Sequence, residues 1–201
     1  MNAAVCTNYG KPEVIQLKEL EKPTPKENEI LLKIHSSSVT SGDARIRRAD
    51  PFIIRLIFGF KRPKKSVLGV VVAGEVEAVG TKVSKFKVGD KVFGSSGMAW
   101  GAHAQYKCVS EDATLSVIPK NITYADAAAI PFGGTAALYF LRKVNIQKGQ
   151  KVLIYGASGA IGTIAIQLAK EFGAEVTAVC SGINAKMVSA IFALMPVSYT
   201  H

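Results

Sequence analysis

The sequence is poor in cysteine and has no motif that would pair what it has. Cys6, Cys108 and Cys180 stand far apart, and no Cys-x-x-Cys occurs. Neither a structural zinc site nor a disulfide framework is indicated. Buried small hydrophobes are the simplest account of all three, and a reducing, cytoplasmic setting is expected. No stretch offers about 18 uninterrupted apolar residues, so no membrane span is predicted. The most apolar region, Ala125 to Leu141, is broken by Asp126, Pro131 and Gly133-Gly134. The N-terminal MNAAVCTNYGKP lacks a basic segment followed by an apolar run, so no secretory signal is read. Low-complexity tracts and internal repeats are missing too, which argues against disorder except at the ends.

Acidic charge is also scarce. There are 15 Asp and Glu against 25 Lys and Arg, a formal net charge of +10. That excess permits nucleic acid, a membrane surface or phosphorylated ligands as partners. The basic residues are spread along the chain, with one dense patch between Arg45 and Lys65. A solvated basic face is the simplest account. Nucleic-acid binding ranks lowest, because no aromatic–basic motif accompanies the charge.

What is present is enough for a core: 48% of the 201 residues are hydrophobic. That length allows one or two domains. The first part of the chain reads as β-rich. Glu29 to His35 is apolar and β-prone. Val67 to Val79 is a valine-rich run punctuated by Gly69 and Gly74. Glycine inside such a run marks a bulge or a close backbone approach. Val83 to Phe93 reads as turn then strand, and Gly101 to Val109 as a further strand. Short strands between Gly, Asp and Pro turns predict a small barrel or sandwich. Ser41 to Lys65 reads as partly helical, and its basic amphipathic pattern suits a membrane or a partner. The preferred expectation is a loop–helix insertion covering a cleft.

The pattern changes near Thr123. Thr123 and Asp126 have the spacing of a helix N-cap with an acid three residues on. An alanine-rich helix follows, expected to break at Pro131 and Gly133-Gly134 and resume to about Val144. Lys151 to Tyr155 suits a strand buried on both faces. Ile161, Ile164, Ala165, Leu168, Ala169 and Phe172 then follow helical spacing, with Gly173 as the stop. Glu175 to Cys180 reads as a second strand. Lys151 to Cys180 is therefore one β-α-β unit. The domains divide as 1–122 and 123–201.

The turn inside that unit carries the chemistry. It reads Gly156-Ala157-Ser158-Gly159-Ala160-Ile161-Gly162. Absent side chains at its three glycines allow a tight turn, close approach of a pyrophosphate and close helix–strand packing. The helix that opens there presents free amides and a partial positive charge to phosphates. A strand before, a helix opening from it and a strand after are the context that makes such a pattern specific. An acid at the end of the second strand would bind the ribose hydroxyls of NAD. Here that strand ends Val179-Cys180-Ser181-Gly182, without an acid. Ser181 is placed to hydrogen-bond a 2′-phosphate and Lys186 to neutralise it, so NADPH is predicted over NADH.

Four segments then point to a family: GDARIR, LGVVVAGEVEAVGTKVSKFKVGDKVFG, AAAIPFGGTAAL and KVLIYGASGAIGTIAIQLAK. Together they resemble the medium-chain dehydrogenase/reductase superfamily, and within it the zinc-free quinone oxidoreductase-like branch. The likeness runs from about residue 3 to about residue 190. It implies a β-rich GroES-like domain followed by an α/β Rossmann domain, with the cofactor in the cleft between them. Zinc members carry a Cys in the loop that here reads Thr40-Ser41-Gly42-Asp43, and a Gly-His-Glu where this chain has Gly69-Val70-Val71. They also insert a four-cysteine lobe after the segment near Gly94. Serine is a poor zinc ligand and valine none, so no metal is expected. His35 and His103 remain, as core or surface residues.

The resemblance implies that Thr40, Asp43 and Thr135 line the nicotinamide end of the site. Some quinone reductases have Asn in place of Thr40 and Tyr in place of Arg45, which leaves bulk water as proton source here. Asp43 is equally well read as a loop cap. The implied reaction is hydride transfer from NADPH to a small-molecule quinone or α,β-unsaturated carbonyl (an enone). Two alternatives stand beside it: a zinc-independent alcohol dehydrogenase-like enzyme, and a non-catalytic cofactor-binding or membrane-surface partner protein. The first lacks a Lewis acid to polarise an alcohol oxygen.

After the second strand, Met187 to Ile191 begins the expected helix. From Phe192 to His201 the likeness stops. Only the first β-α-β of a Rossmann fold is then present, and residues 192–201 are read as the foreign end of a truncated or frame-shifted fragment. Such a fragment is expected to bind cofactor weakly and to turn over slowly or not at all.

Overall fold

The computed structural model describes residues 1–193. Its contacts form two compact units, Met1–Pro131 and a second beginning at Phe132.

In the first unit, β1 (Asn2–Cys6) and β2 (Ile15–Glu19) form an antiparallel pair. A five-stranded antiparallel sheet has the order β6-β3-β4-β5-β7. Its members are β3 (Glu29–Ser36), β4 (Val71–Val79), β5 (Lys91–Ser95), β6 (Tyr106–Ser110) and β7 (Thr114–Val117). The central strands β3 and β4 are valine-, leucine- and isoleucine-rich, and their pleat sends alternate residues to two cores. Ile30, Leu32, Val72, Val76 and Val92 fill one, all fully buried. Val71 and Ala73 face the other, with Ile118, Ala127 and Ala128. Each such aliphatic side chain contributes roughly 1.5–3 kcal/mol of burial.

Two short helices interrupt the strands. Helix α1 (Ser41–Arg48) starts from a capping box at Thr40 and ends at Ala49 in the left-handed region. Helix α2 (Ile54–Phe58) follows. Ile46, Cys6 and Leu68 form a third small core, against which Ile54, Phe58 and Trp100 pack.

Helix α3 (Tyr124–Lys143) runs without a break through Pro131 and Gly133-Gly134. This corrects the expected interruption. Thr123 caps it, with its hydroxyl 2.6 Å from Asp126 Oδ2. The glycines serve packing instead: a Cβ on Gly133 would stand 2.2 Å from the carbonyl oxygen of Ala160. Two strands are also shorter than the composition suggested. β4 begins at Val71, because Gly69 has φ +89 and leaves the extended region. β6 begins at Tyr106, with Ala104 making only an isolated bridge to Ala3.

The second unit contains β8 (Lys151–Tyr155), α4 (Ala160–Glu171), β9 (Glu175–Val179) and α5 (Ala185–Ala193). β8 and β9 pair in parallel, Lys151 opposite Glu175 and Tyr155 opposite Val179. Parallel neighbours require a crossover, and α4 supplies it. Ile154, Ala157, Ala165, Ile166, Ala169 and Val188 form the core. Outside that core Leu153 and Tyr155 remain exposed, at 67% and 86%. Helix α5 continues past Ile191. Phe192 is buried, and its carbonyl accepts a bond from Lys170 Nζ at 2.8 Å. The predicted foreign stretch 192–201 thus begins inside a helix, and from residue 194 on it lies outside the described residues.

Candidate functional site

The glycine turn sits where the β-α-β pattern places it. Gly156 follows β8 with φ +74, a conformation open to glycine at no steric cost. The amides of Gly156 and Ala157 both donate to the carbonyl of Val179, at 3.0 Å each. Those two N–H groups therefore fasten the turn to β9 and are not free for a ligand. Gly159 is the N-cap of α4 and carries no side-chain cap, and the first turn holds no acid. The leading amides of α4, at Ala160, Ile161 and Gly162, have no acceptor within the helix. Gly162 holds the helix tight on the turn: a Cβ there would lie 2.3 Å from Gly156 O and 2.7 Å from Ala157 Cα. The result is an uncapped helix N-terminus with no competing carboxylate, which suits a phosphate anion.

The side chains beside this turn form a small polar relay. Asn184 Nδ2 donates to Ser158 Oγ at 3.2 Å and to Ser181 Oγ at 3.1 Å. It links the turn to the end of β9. Because Asn184 is the donor in both, each serine hydroxyl keeps its own hydrogen for an external acceptor. Asn184 was not legible in the sequence as a site residue. Its signal was only its position, three residues after Ser181 in a short 3-10 turn, Gly182–Asn184. Lys186 is exposed on the first turn of α5, and Thr135 is exposed on α3.

Thr40 and Asp43 belong to the first unit, where they form the capping box of α1. Asp43 is buried to 4% exposure. Its Oδ2 accepts from Thr40 N–H at 2.7 Å and from the Thr40 hydroxyl at 2.8 Å. Its Oδ1 accepts from Gly69 N–H at 2.9 Å. Burial pushes the carboxyl up, but His103 and the Thr40 donors outweigh it and hold Asp43 below the usual aspartate value. His103 Nε2 lies 3.7 Å from Asp43 Oδ1, an electrostatic contact. The ring's other nitrogen, Nδ1, is 3.2 Å from Ser37 Oγ. That hydroxyl donates to Val71 O at 2.8 Å. Gly69 completes the cluster: a Cβ there would be 2.7 Å from the His103 ring. The valine run with an inserted glycine was the sequence signal for this close approach. His103, read as an isolated histidine, was not connected to Asp43.

Behind Asp43 lies a mostly apolar cavity of about 280 Å³, lined among others by Cys6, Val39, Leu68, Arg47 and His103. Burial pushes the Cys6 thiol up, so it is a neutral packing group and no nucleophile. Among the described residues no three His, Cys, Asp or Glu side chains converge as a metal site would require. Gly69 offers the Asp43–His103 cluster its backbone amide, while Val70 and Val71 turn their side chains to the core of Ala73 and Ile118.

An antiparallel β domain and a glycine-turned β-α-β unit, in that order, define the class. Residues 26–143 match the Alcohol dehydrogenase GroES-like domain, so the chain belongs to that family. Within it the chain is a medium-chain dehydrogenase/reductase of the quinone oxidoreductase-like branch. It is 36% identical over 179 residues to a quinone oxidoreductase of Sus scrofa, covering 88% of this chain and 51% of that protein. It is 32% identical over 210 residues to the 2-methylene-furan-3-one reductase of Solanum lycopersicum, covering 100% and 52%. The quinone oxidoreductase of Escherichia coli solved in complex with NADPH superposes with a TM-score of 0.80 at 28% identity, covering 95% of this chain and 56% of that one. The chain spans about half the length of the curated relatives it matches.

Proposed function

We propose that this chain carries the phosphate-binding part of an NADPH-dependent oxidoreductase acting on quinones or α,β-unsaturated carbonyls. The observation that carries the reading is the uncapped, acid-free N-terminus of α4, closed on its turn by Gly162. The amides of Ala160, Ile161 and Gly162 hold the pyrophosphate, and the Ser158 hydroxyl adds a donor. Ser181 and Lys186 receive the 2′-phosphate, and β9 ends without the acid that would repel it. Two similar proteins named above support the substrate class, one called a quinone oxidoreductase and one a furanone reductase. The cofactor, when bound, supplies the hydride; the protein supplies position and electrostatics.

Thr40 offers a substrate its hydroxyl oxygen as an acceptor, its hydrogen being given to Asp43; Thr135, in the second unit, serves the cofactor. Asp43 acts as a positioning residue: its two oxygens fix the Thr40 backbone and hydroxyl and the Gly69 amide. Asp43 spends both carboxylate oxygens as acceptors, and bulk water is the proton source. With Leu153 and Tyr155 exposed beside the turn, the 201-residue chain binds cofactor weakly and turns over slowly. Ser41, Val70 and Val71, which are poor metal ligands or none, favour reduction of activated acceptors over oxidation of plain alcohols. The reading is set in the cytoplasm.

Amide NMR with added NADPH tests the placement. Shifts concentrated at Ser158, Ala160, Ile161, Gly162 and Ser181 are expected. Shifts elsewhere, or none at millimolar NADPH, would overturn it. Rapid loss of NADPH absorbance with an ortho-quinone would contradict the slow turnover.

A further inference from the structure

The most unusual surface of the chain lies outside both sites. Ile53, Leu56 and Ile57 fall at i, i+3 and i+4 on one face of α2, and Phe60 follows beyond the turn at Gly59. Their exposures are 54%, 63%, 64% and 64%. Phe52, 63% exposed, extends the stripe and meets Phe60 edge-on at 6.4 Å. The opposite side of the same segment is anchored: Ile54 and Phe58 pack on the Cys6–Ile46–Leu68 core, and Phe58 meets Trp100 at 5.8 Å. The stripe is therefore held outward by the fold. It is not a loose end that collapses onto the protein.

Charge surrounds it. Residues 45–65 contain eight Arg and Lys and one acid, Asp50, a net +7 out of the chain's +10. Arg45, Arg48, Lys61, Arg62, Lys64 and Lys65 are exposed. Arg47 is turned inward to the Gly10 carbonyl, and Arg55 lies over the Tyr9 ring at 4.8 Å. Five large apolar side chains within a basic field match one kind of surface. Aliphatic and phenyl groups enter the acyl boundary, while lysine and arginine sit at anionic headgroups. A second copy of the chain would set one +7 face against another. A nucleic acid would answer the charge but leave Ile53, Leu56 and Ile57 in water.

We infer that the Arg45–Lys65 segment docks this protein on the surface of an anionic phospholipid bilayer, with Phe52, Leu56, Ile57 and Phe60 inserted at the interface. It lies on the membrane and does not span it; no helix among the described residues is long and apolar enough to cross one.

The test is co-sedimentation of the 201-residue chain with phosphatidylcholine vesicles, with and without phosphatidylserine, folding being checked by circular dichroism. Binding to the phosphatidylserine vesicles alone is expected, falling as salt is raised. Each cation near the surface is worth about fivefold in affinity. Lys61→Glu/Lys64→Glu should therefore weaken binding by more than tenfold, as should Leu56→Ser/Ile57→Ser. The charge-matched Lys120→Glu/Lys148→Glu should bind much as the parent does. Three results would overturn the inference. One is equal pelleting with both vesicles. The second is full binding by Leu56→Ser/Ile57→Ser, which would reduce the patch to charge alone and, with retention on an RNA oligonucleotide, point to nucleic acid. The third is a dimer in sedimentation velocity that Leu56→Ser abolishes, which would assign the face to a second copy.

Discussion

Replacing Gly162 with alanine should damage both the stability of the second unit and its affinity for cofactor. In an exposed helical position the same change would help, because alanine is about 1 kcal/mol better than glycine in a helix interior. Here the added Cβ would stand 2.3 Å from Gly156 O, 2.7 Å from Ala157 Cα and 2.9 Å from Ala157 C. Carbon contacts relax only beyond about 3.5 Å, and all three neighbours are backbone. No flexible side chain can yield, so α4 and the turn must separate by about 1 Å. Overpacking of this kind costs roughly 1–3 kcal/mol. Set against the helix-propensity gain of about 1 kcal/mol, the net loss runs up to about 2 kcal/mol, with a fall in Tm of roughly 4–8 °C per kcal/mol for a unit this small. The same displacement moves the Ala160–Gly162 amides off the phosphate, and NADPH affinity should drop about tenfold, as a loss near 1.4 kcal/mol gives. Differential scanning fluorimetry and a fluorescence titration read the two effects. Gly182→Ala is the control, because a Cβ there meets nothing within 4 Å. If Gly162→Ala melts and binds as the parent does while Gly182→Ala behaves alike, the close-packing argument is wrong.

Two further substitutions probe the first unit. Asp43→Asn should destabilise it by about 1–3 kcal/mol near neutral pH, because an amide N–H would face the Thr40 donors or the Gly69 N–H. The Asp43 carboxyl is held below its usual value in the folded state, so its contribution is present above about pH 4 and is lost as pH falls through the folded value. Urea unfolding across the acid range should show that loss in the parent and not in Asp43→Asn; parallel curves would contradict it. Lys107 is the opposite case. Burial pulls its ammonium down to about 8, while its Nζ donates to the carbonyls of Ala99 and Trp100. Between about 8 and its ordinary value the unfolded chain binds more protons, so this group makes stability rise with pH there. Lys107→Met should flatten that rise in urea unfolding, and an unchanged slope would refute the assignment.

The glycine turn, both flanking strands and the capping residue Thr123 were legible because each depends on local sequence; the cap at Thr40 came from the structure. Glycine spacing, a short β-branched run and a threonine three residues before an acid act within one turn of chain. The continuity of α3 was not legible. Pro131 and Gly133-Gly134 look like breakers in isolation, and only contact with Ala160 gives Gly133 its reason. The same holds for β1, β2 and β7. Leu17 is 75% exposed and Val117 59%, so neither β2 nor β7 carries the burial pattern that marks a strand. The site divides in the same way. Ser158 and Ser181 stand out beside the turn, but Asn184 joins them across 26 residues, and His103 reaches Asp43 across 60. Such pairs are fixed by tertiary packing and leave no trace in spacing.

The most direct test of the account is a pair of titrations of the 201-residue chain, one with NADPH and one with NADH, followed by nucleotide fluorescence. A phosphate received by Ser181 and Lys186 adds charge-assisted hydrogen bonds of roughly 1.5–3 kcal/mol. NADPH should therefore bind tenfold or more tightly than NADH, and Lys186→Ala should narrow the gap. Equal affinity for the two nucleotides, or a gap that Lys186→Ala leaves untouched, would contradict the assignment of this turn and strand end to NADPH.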